Sequence, residues 1–196
     1  MYTFFKDEVI VLKRVFVGEK DLTLTVYSKK SGRESIFIQN GQIIKNLPIV
    51  SMTEFSWFYG VFYKIKDKLY ISEIDRFKNV ALDLVKDYDK LVSAYRVINW
   101  LYRFAPHPDE RIFILAKKTF YYLTISKNPE LLELAFLLRL AYLNGELNLN
   151  KIDVKENERE ILKTVFKTNI LDLATKPIHV SALDFLKNKI LEILNR

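Results

Sequence analysis

The alternation in Leu22–Tyr27 constrains this chain more than any other feature. Leu22, Leu24 and Val26 alternate with Thr23, Thr25 and Tyr27, which is the period-two pattern of a half-buried strand. Val9–Phe16 precedes it as an apolar run broken by Lys13 and Arg14. Lys29-Lys30-Ser31-Gly32 follows as a turn, with Gly32 able to take positive φ. Arg33–Gln39 is the return strand, with Ile36 and Ile38 on one face and Phe37 on the other. So short a connection makes the second and third strands an antiparallel hairpin, and its tip carries Lys29, Lys30 and Arg33.

Asn40–Pro48 is a polar loop containing Gly41 and Lys45. In the strand that follows, Phe55, Trp57, Tyr59, Val61 and Tyr63 share one face; Ser56, Phe58, Gly60, Phe62 and Lys64 share the other. Two largely apolar faces predict a central strand, or one that bends at Gly60. After a turn at Lys66-Asp67-Lys68, Leu69–Ile74 is a fifth strand. Five strands with no helix among them predict a small closed barrel, because closure removes exposed edges.

Near Asp75 the period changes. Leu91, Ala94, Tyr95, Ile98, Leu101 and Tyr102 recur at helical spacing and predict a helix over Tyr88–Phe104. Residues 78–86 suggest a shorter helix before it, and Asp109–Ile125 a longer one after it. Asn128-Pro129-Glu130 reads as a helix start, with Asn as N-cap and Pro in the first position. The helix it opens is apolar nearly all round and stops at Asn144-Gly145, so it belongs at the centre of a bundle. Glu146–Glu156 is a polar connection. Asn157–Thr168 is helical, Pro177 breaks the chain, and Ser181 caps the last helix. The expected class is α+β: a five-stranded OB-like barrel over residues 1–76, then an all-α bundle over residues 77–196.

The chain has 31 Lys and Arg against 24 Asp and Glu, a formal charge of +7. That balance suits a polyanion or an anionic membrane surface. Residues 1–72 carry eleven basic and seven acidic side chains, so charge is denser on the barrel. With no Cys, disulfides, thiolate metal sites and Cys nucleophiles are excluded. His107 and His179 are the only histidines, too few for a His-rich zinc site. There is no run of the roughly 18–20 apolar residues that a membrane helix needs, and MYTFFKDEV lacks a signal peptide's apolar region, so a cytoplasmic protein is expected. No Gly-rich phosphate loop is present and the acids are scattered, so no enzyme is indicated.

Two segments, EKDLTLTVYSKKSGRESIFIQNG with Ser28, Gly32, Arg33 and Gly41, and PELLELAFLLRLAYLNGELNLN with Phe136, Arg139 and Gly145, resemble the RecO family of bacterial recombination mediators. In the first, those four residues stand where the family shows its turn and strand-ending glycine. In the second, Phe136, Arg139, Leu140, Gly145, Leu147 and Asn148 fill the family's Phe-rich helix and Gly-Leu-Asn pattern. Order and spacing agree from about residue 8 to the C-terminus. The resemblance implies a nucleoid-associated cytoplasmic protein of DNA repair. It would bind single- and double-stranded DNA, anneal strands, and help load recombinase with RecR on strands coated by single-stranded DNA-binding protein (SSB). Two departures stand out. Gln39-Asn40-Gly41-Gln42 replaces a more basic segment, and the zinc-binding Cys cluster of many members is absent, so no metal or cofactor is expected.

A single-strand-binding barrel combines a positive groove with aromatics on which bases stack. Lys13, Arg14, Lys29, Lys30, Arg33 and Lys45 are the candidates for the groove; the alternative is an ordinary solvated hairpin tip. Phe37 and Tyr27 are candidate stacking residues or core, and Phe55, Trp57 and Phe58 are read as packing. In the helical part, the resemblance implies a pocket for the acidic C-terminal tail of SSB. Lys117, Lys118, Phe136, Leu137, Arg139 and Leu140 would form it. Alternatively Arg139 snorkels or pairs with an acid such as Glu133. The competing functional class is a non-enzymatic scaffold, barrel plus helices, that binds protein or RNA.

Overall fold

The structure, a computed structural model, describes residues 3–41, 49–66, 68–175 and 182–195. Five strands come first: β1 (Phe4–Val17), β2 (Asp21–Ser28), β3 (Gly32–Ile38), β4 (Ser56–Ile65) and β5 (Lys68–Asn79). Helices follow: α1 (Ala81–Leu84), α2 (Tyr88–Phe104), α3 (Glu110–Ile125), α4 (Pro129–Leu143), α5 (Glu156–Lys167), α6 (Ile170–Thr175) and α7 (Leu183–Leu194). The chain is α+β, with a five-stranded sheet followed by helices. No helix among the described residues is long and apolar enough to cross a membrane.

The pairing order β1-β2-β3-β5-β4 returns from β4 to β1 and closes a barrel. β1 can serve both ends of that order because it is long. Its first half, Phe4–Ile10, pairs with β4, and Val9–Val17 pairs with β2, with a register shift between Val11 and Lys13. The ring is completed by a short parallel pairing, Ile36 with Leu69 and Phe37 with Tyr70; every other pairing is antiparallel. The interior takes one side chain of every two. Val9, Val11, Leu22, Leu24, Val26, Ile36, Ile38, Phe58, Phe62, Leu69 and Ile71 form the core, with Met52 added from a 3-10 turn over Ile49–Met52. At Gly60 the pairing with β5 shifts register, and a Cβ there would collide with the Glu73 carbonyl oxygen.

The helices begin where sequence chemistry starts them. The Asp87 carboxylate accepts hydrogen bonds from the backbone N–H groups of Asp89 and Lys90, and Asp109 does the same for Arg111 and Ile112. Each satisfies donors that a helix leaves open at its N-terminus. Asn128 occupies the N-cap of α4, but its side chain makes no capping hydrogen bond; Pro129 sits in the first turn as expected. Ten of the fifteen residues of α4 are buried, and α5, α6 and α7 pack against it. The residues assigned to capping and chain-breaking before α7, Ser181 and Pro177, lie outside the described residues, as does His179.

Two compact units emerge. One holds residues 1–83 and 101–113; the other holds 84–100 and 114–196. The first is therefore more than the expected barrel of residues 1–76. It includes the end of α2, the Ala105–Asp109 loop and the first turn of α3, because the β2–β3 hairpin is hydrogen-bonded to that segment.

Candidate nucleic-acid interface

The β2–β3 turn is built from a buried carboxylate. Asp7, 2% exposed, accepts a 2.5 Å hydrogen bond from the Ser28 hydroxyl. Ser28 Oγ in turn accepts from the backbone N–H groups of Lys30 and Ser31. The chain then reverses at Gly32, whose φ is +77°.

This tip is docked. Arg33 N–H donates to the Pro106 carbonyl. Its guanidinium donates to the Tyr102 carbonyl at 2.5 Å and lies 4.4 Å from the Tyr102 ring centroid. Lys29 pairs with Glu110 at 2.7 Å, and that hydrogen bond raises the ammonium pKa above its ordinary value. Tyr27 is fully buried, stacks on Phe113, donates its O–H to the His107 carbonyl and accepts from the Asp109 N–H. Burial pushes this phenol up to about 12. The Arg111 guanidinium beside Asp109 holds that carboxyl below the usual carboxylate range. Tyr27 is thus a packing residue, with no exposed face for a base.

The six cations read from the sequence fall into separate groups. Lys29 and Arg33 hold the hairpin to residues 102–110. Lys30 is exposed, its ammonium resting on the Lys6 carbonyl at 2.8 Å. Lys13 is exposed and Arg14 half-buried; they stand opposite Thr25 and Leu24, roughly 10 Å along the strand from the turn. The Arg14 guanidinium lies 5.3 Å from the Phe16 ring, and its backbone N–H donates to Glu54. Lys45 lies outside the described residues.

A second surface of the barrel is only partly visible in the sequence. Phe37 pairs with Tyr70, Tyr70 with Tyr63, and Tyr63 with Phe4, on β3, β5, β4 and β1. Their ring centroids are 5.9, 5.4 and 5.4 Å apart in that order. Each is flanked in sequence by a residue that faces the interior, so all four rings stand on the outer face. Phe37 is a stacking candidate from its sequence position alone. The other three need the cross-strand register, which periodicity does not supply.

In the helical unit, Phe136, Leu137 and Leu140 are fully buried and present no surface to a partner. Arg139 does not pair with Glu133. It reaches across to the end of α5, donating to the carbonyls of Val165, Phe166 and Thr168, the last at 2.6 Å. The last carbonyls of a helix lack partners within it, and a cation at a helix C-terminus is favoured by the dipole. Burial pulls the Arg139 pKa down from its ordinary value, yet a guanidinium stays charged at neutral pH. Arg139→Met keeps the stem but deserts those carbonyls, and is expected to cost about 2 kcal/mol in urea unfolding. An unchanged midpoint would show that water replaces the guanidinium. Lys117 is half-buried and Lys118 exposed on α3.

Among the described residues no three His, Cys, Asp or Glu side chains gather as a metal site. No protein-family model matches the chain, and no curated protein matches it significantly.

Proposed function

We propose that this chain is a non-enzymatic mediator of DNA recombination and repair of the RecO kind, with an OB-like barrel that binds DNA. The observation that carries this is the strand order β1-β2-β3-β5-β4, closed by parallel β3–β5 pairing, in a chain of formal charge +7. Small five-stranded barrels of this class bind oligonucleotides.

Annealing asks for no catalytic residue, metal or cofactor. Neutralising phosphates on two strands lowers their repulsion, and release of condensed counterions drives the association. Base pairing supplies the rest. Among the described residues, the exposed Lys13 and Lys30 are the groove cations taken up by this reading, since Lys29 and Arg33 are engaged by Glu110 and Tyr102. In the helical part, Lys118 is the exposed cation left for the acidic tail of SSB, since Arg139 is engaged by the carbonyls at the end of α5, and RecR is the proposed partner in loading recombinase. The location that follows is the cytoplasm, at the nucleoid.

The test is fluorescence anisotropy of labelled single and double strands at two salt concentrations, with Lys13→Glu/Lys30→Glu beside the wild type. Wild-type affinity is expected to fall steeply with salt. The variant is expected to bind about ten-fold or more weakly, and its log–log salt slope on single strands to shrink by about 0.7 for each phosphate it no longer neutralises. Absence of binding to any strand at low salt would remove the mediator and leave a protein-binding scaffold.

A further inference from the structure

We propose that the outer row Phe37–Tyr70–Tyr63–Phe4 is a stacking platform for the bases of a single-stranded nucleic acid. This names the contact surface for the proposed strand binding and rests on that function.

Four aromatic side chains stand directly opposite one another across four strands, on the face turned away from the core. The barrel does not need them inside, since its core is filled by their sequence neighbours, among them Ile36, Ile38, Phe62, Leu69 and Ile71. Phe4 is 58% exposed, and Phe37, Tyr63 and Tyr70 are half-buried. Tyr63 and Tyr70 lie nearly parallel, 14° between planes, whereas Phe37 meets Tyr70 edge-on. A pocket of about 250 Å³ opens beside them, lined in part by Phe37, Gln39, Tyr63, Ile65 and Tyr70.

Charge chooses the occupant. The β4–β5 turn carries Lys64, Lys66 and Lys68 with Asp67 among them in sequence. The Lys68 ammonium lies 5.8 Å from the Phe37 ring centroid, Lys66 is exposed, and Lys64 is 3.5 Å from Glu34. A ligand offering flat apolar faces and regularly spaced anions satisfies both the rings and the lysines. A single strand does so. A duplex hides its base faces in the stack, and a neutral apolar peptide leaves the lysines unanswered. Base–aromatic stacking also tolerates any sequence, as an annealing protein requires.

The same row could act only within the sheet, because cross-strand aromatic pairs stabilise strands. The experiment separates the two roles by comparing strands of equal charge. A labelled oligodeoxythymidylate and a matched strand of abasic residues are titrated against the full chain by anisotropy. Wild type is expected to bind the base-bearing strand about ten-fold or more tightly than the abasic one. Tyr63→Leu/Tyr70→Leu is expected to erase that preference while leaving abasic-strand affinity unchanged, and Tyr63→Phe/Tyr70→Phe to keep it. If the leucine pair disturbs the circular dichroism spectrum, Phe4→Leu at the exposed end carries the same comparison and is expected to reduce the preference. Equal wild-type affinity for the two strands, or a leucine variant that keeps the preference, overturns the platform and leaves strand binding through the phosphates intact. Binding to neither strand overturns both.

Discussion

Glu133→Ala is expected to destabilise the helical unit by about 3–5 kcal/mol, the cost of removing one partner from a buried ion pair. Glu133 is fully buried in the first half of α4. Its Oε1 accepts from the Ser93 hydroxyl at 2.5 Å and the Arg96 guanidinium at 3.0 Å. Its Oε2 accepts from Arg96 at 3.1 Å and from the Lys187 ammonium at 2.8 Å. Lys187 is itself only 4% exposed and also pairs with Asp184 at 2.9 Å. Burial alone lowers the Lys187 pKa, but the hydrogen bonds to Glu133 and Asp184 outweigh it and hold the group above its ordinary value. The stabilisation is therefore complete at neutral pH and is lost only as pH rises beyond the ordinary lysine range. Arg96 is nearly half exposed and can turn to water when Glu133 is removed; Lys187 cannot. The damage should thus be repaired through Lys187: Glu133→Leu/Lys187→Met is expected to recover most of the loss, since an apolar pair of similar volume often equals a buried ion pair. Urea unfolding of Glu133→Leu, Lys187→Met and the double completes the cycle. A Glu133→Ala loss below about 1 kcal/mol would mean that water reaches the cluster.

Glu133 also marks the limit of what the sequence can say. The apolar surround of α4 is legible because ten buried positions leave no polar stripe on the helix. The partners of Glu133 and Arg139 are not. Glu133 and Arg139 share α4 but lie six residues apart, about 120° round the helix, so they do not face each other; the carboxylate meets Arg96 and Lys187, which are 37 and 54 residues away. Arg139 instead meets carbonyls at the end of α5.

A similar division runs through the barrel. β2 and β3 are readable because one face of each is buried and the other more exposed. The start of β1 is not, because a buried polar residue, Asp7, breaks the apolar pattern there. The end of β5 runs to Asn79 rather than Ile74 because it holds on by pairing with β4; Ser72, Glu73, Asp75, Arg76, Phe77 and Lys78 are all exposed, leaving no alternation to read. The hairpin lysines and arginine are visible as charge, whereas Glu110 and Tyr102, which engage two of them, are some 70–80 residues further on. α6, six residues long, is too short for a helical period to appear.

Gly32→Ala is expected to cost about 2–5 kcal/mol and to undock the hairpin from residues 102–110. Two effects add. At φ +77° an L side chain is strained, at about 1–2 kcal/mol. A Cβ would also lie 2.7 Å from the His107 carbonyl carbon, the Pro106 oxygen and the Pro108 nitrogen. All three are backbone atoms, so relief requires the loop to move, and forced overpacking adds about 1–3 kcal/mol. Gly145 isolates the first effect: its φ is +78°, but a Cβ there meets nothing within 4 Å. Gly145→Ala is therefore expected to cost about 1–2 kcal/mol, and the excess at Gly32 measures the close approach. Undocking has its own signature. The Arg33 and Asp109 amides, which donate to the Pro106 carbonyl and the Tyr27 oxygen, should lose protection from hydrogen exchange together in Gly32→Ala and keep it in Gly145→Ala. Tyr27 adds a pH limit to the same docking. Its folded pKa of about 12 lies above the ordinary 10.0, so the neutral phenol favours the folded state below pH 10, and that contribution is lost as pH rises towards 12. Tyr27→Phe should flatten this alkaline loss. Equal costs at the two glycines, with both amides still protected, would mean that the loop yields freely and that the hairpin stays docked.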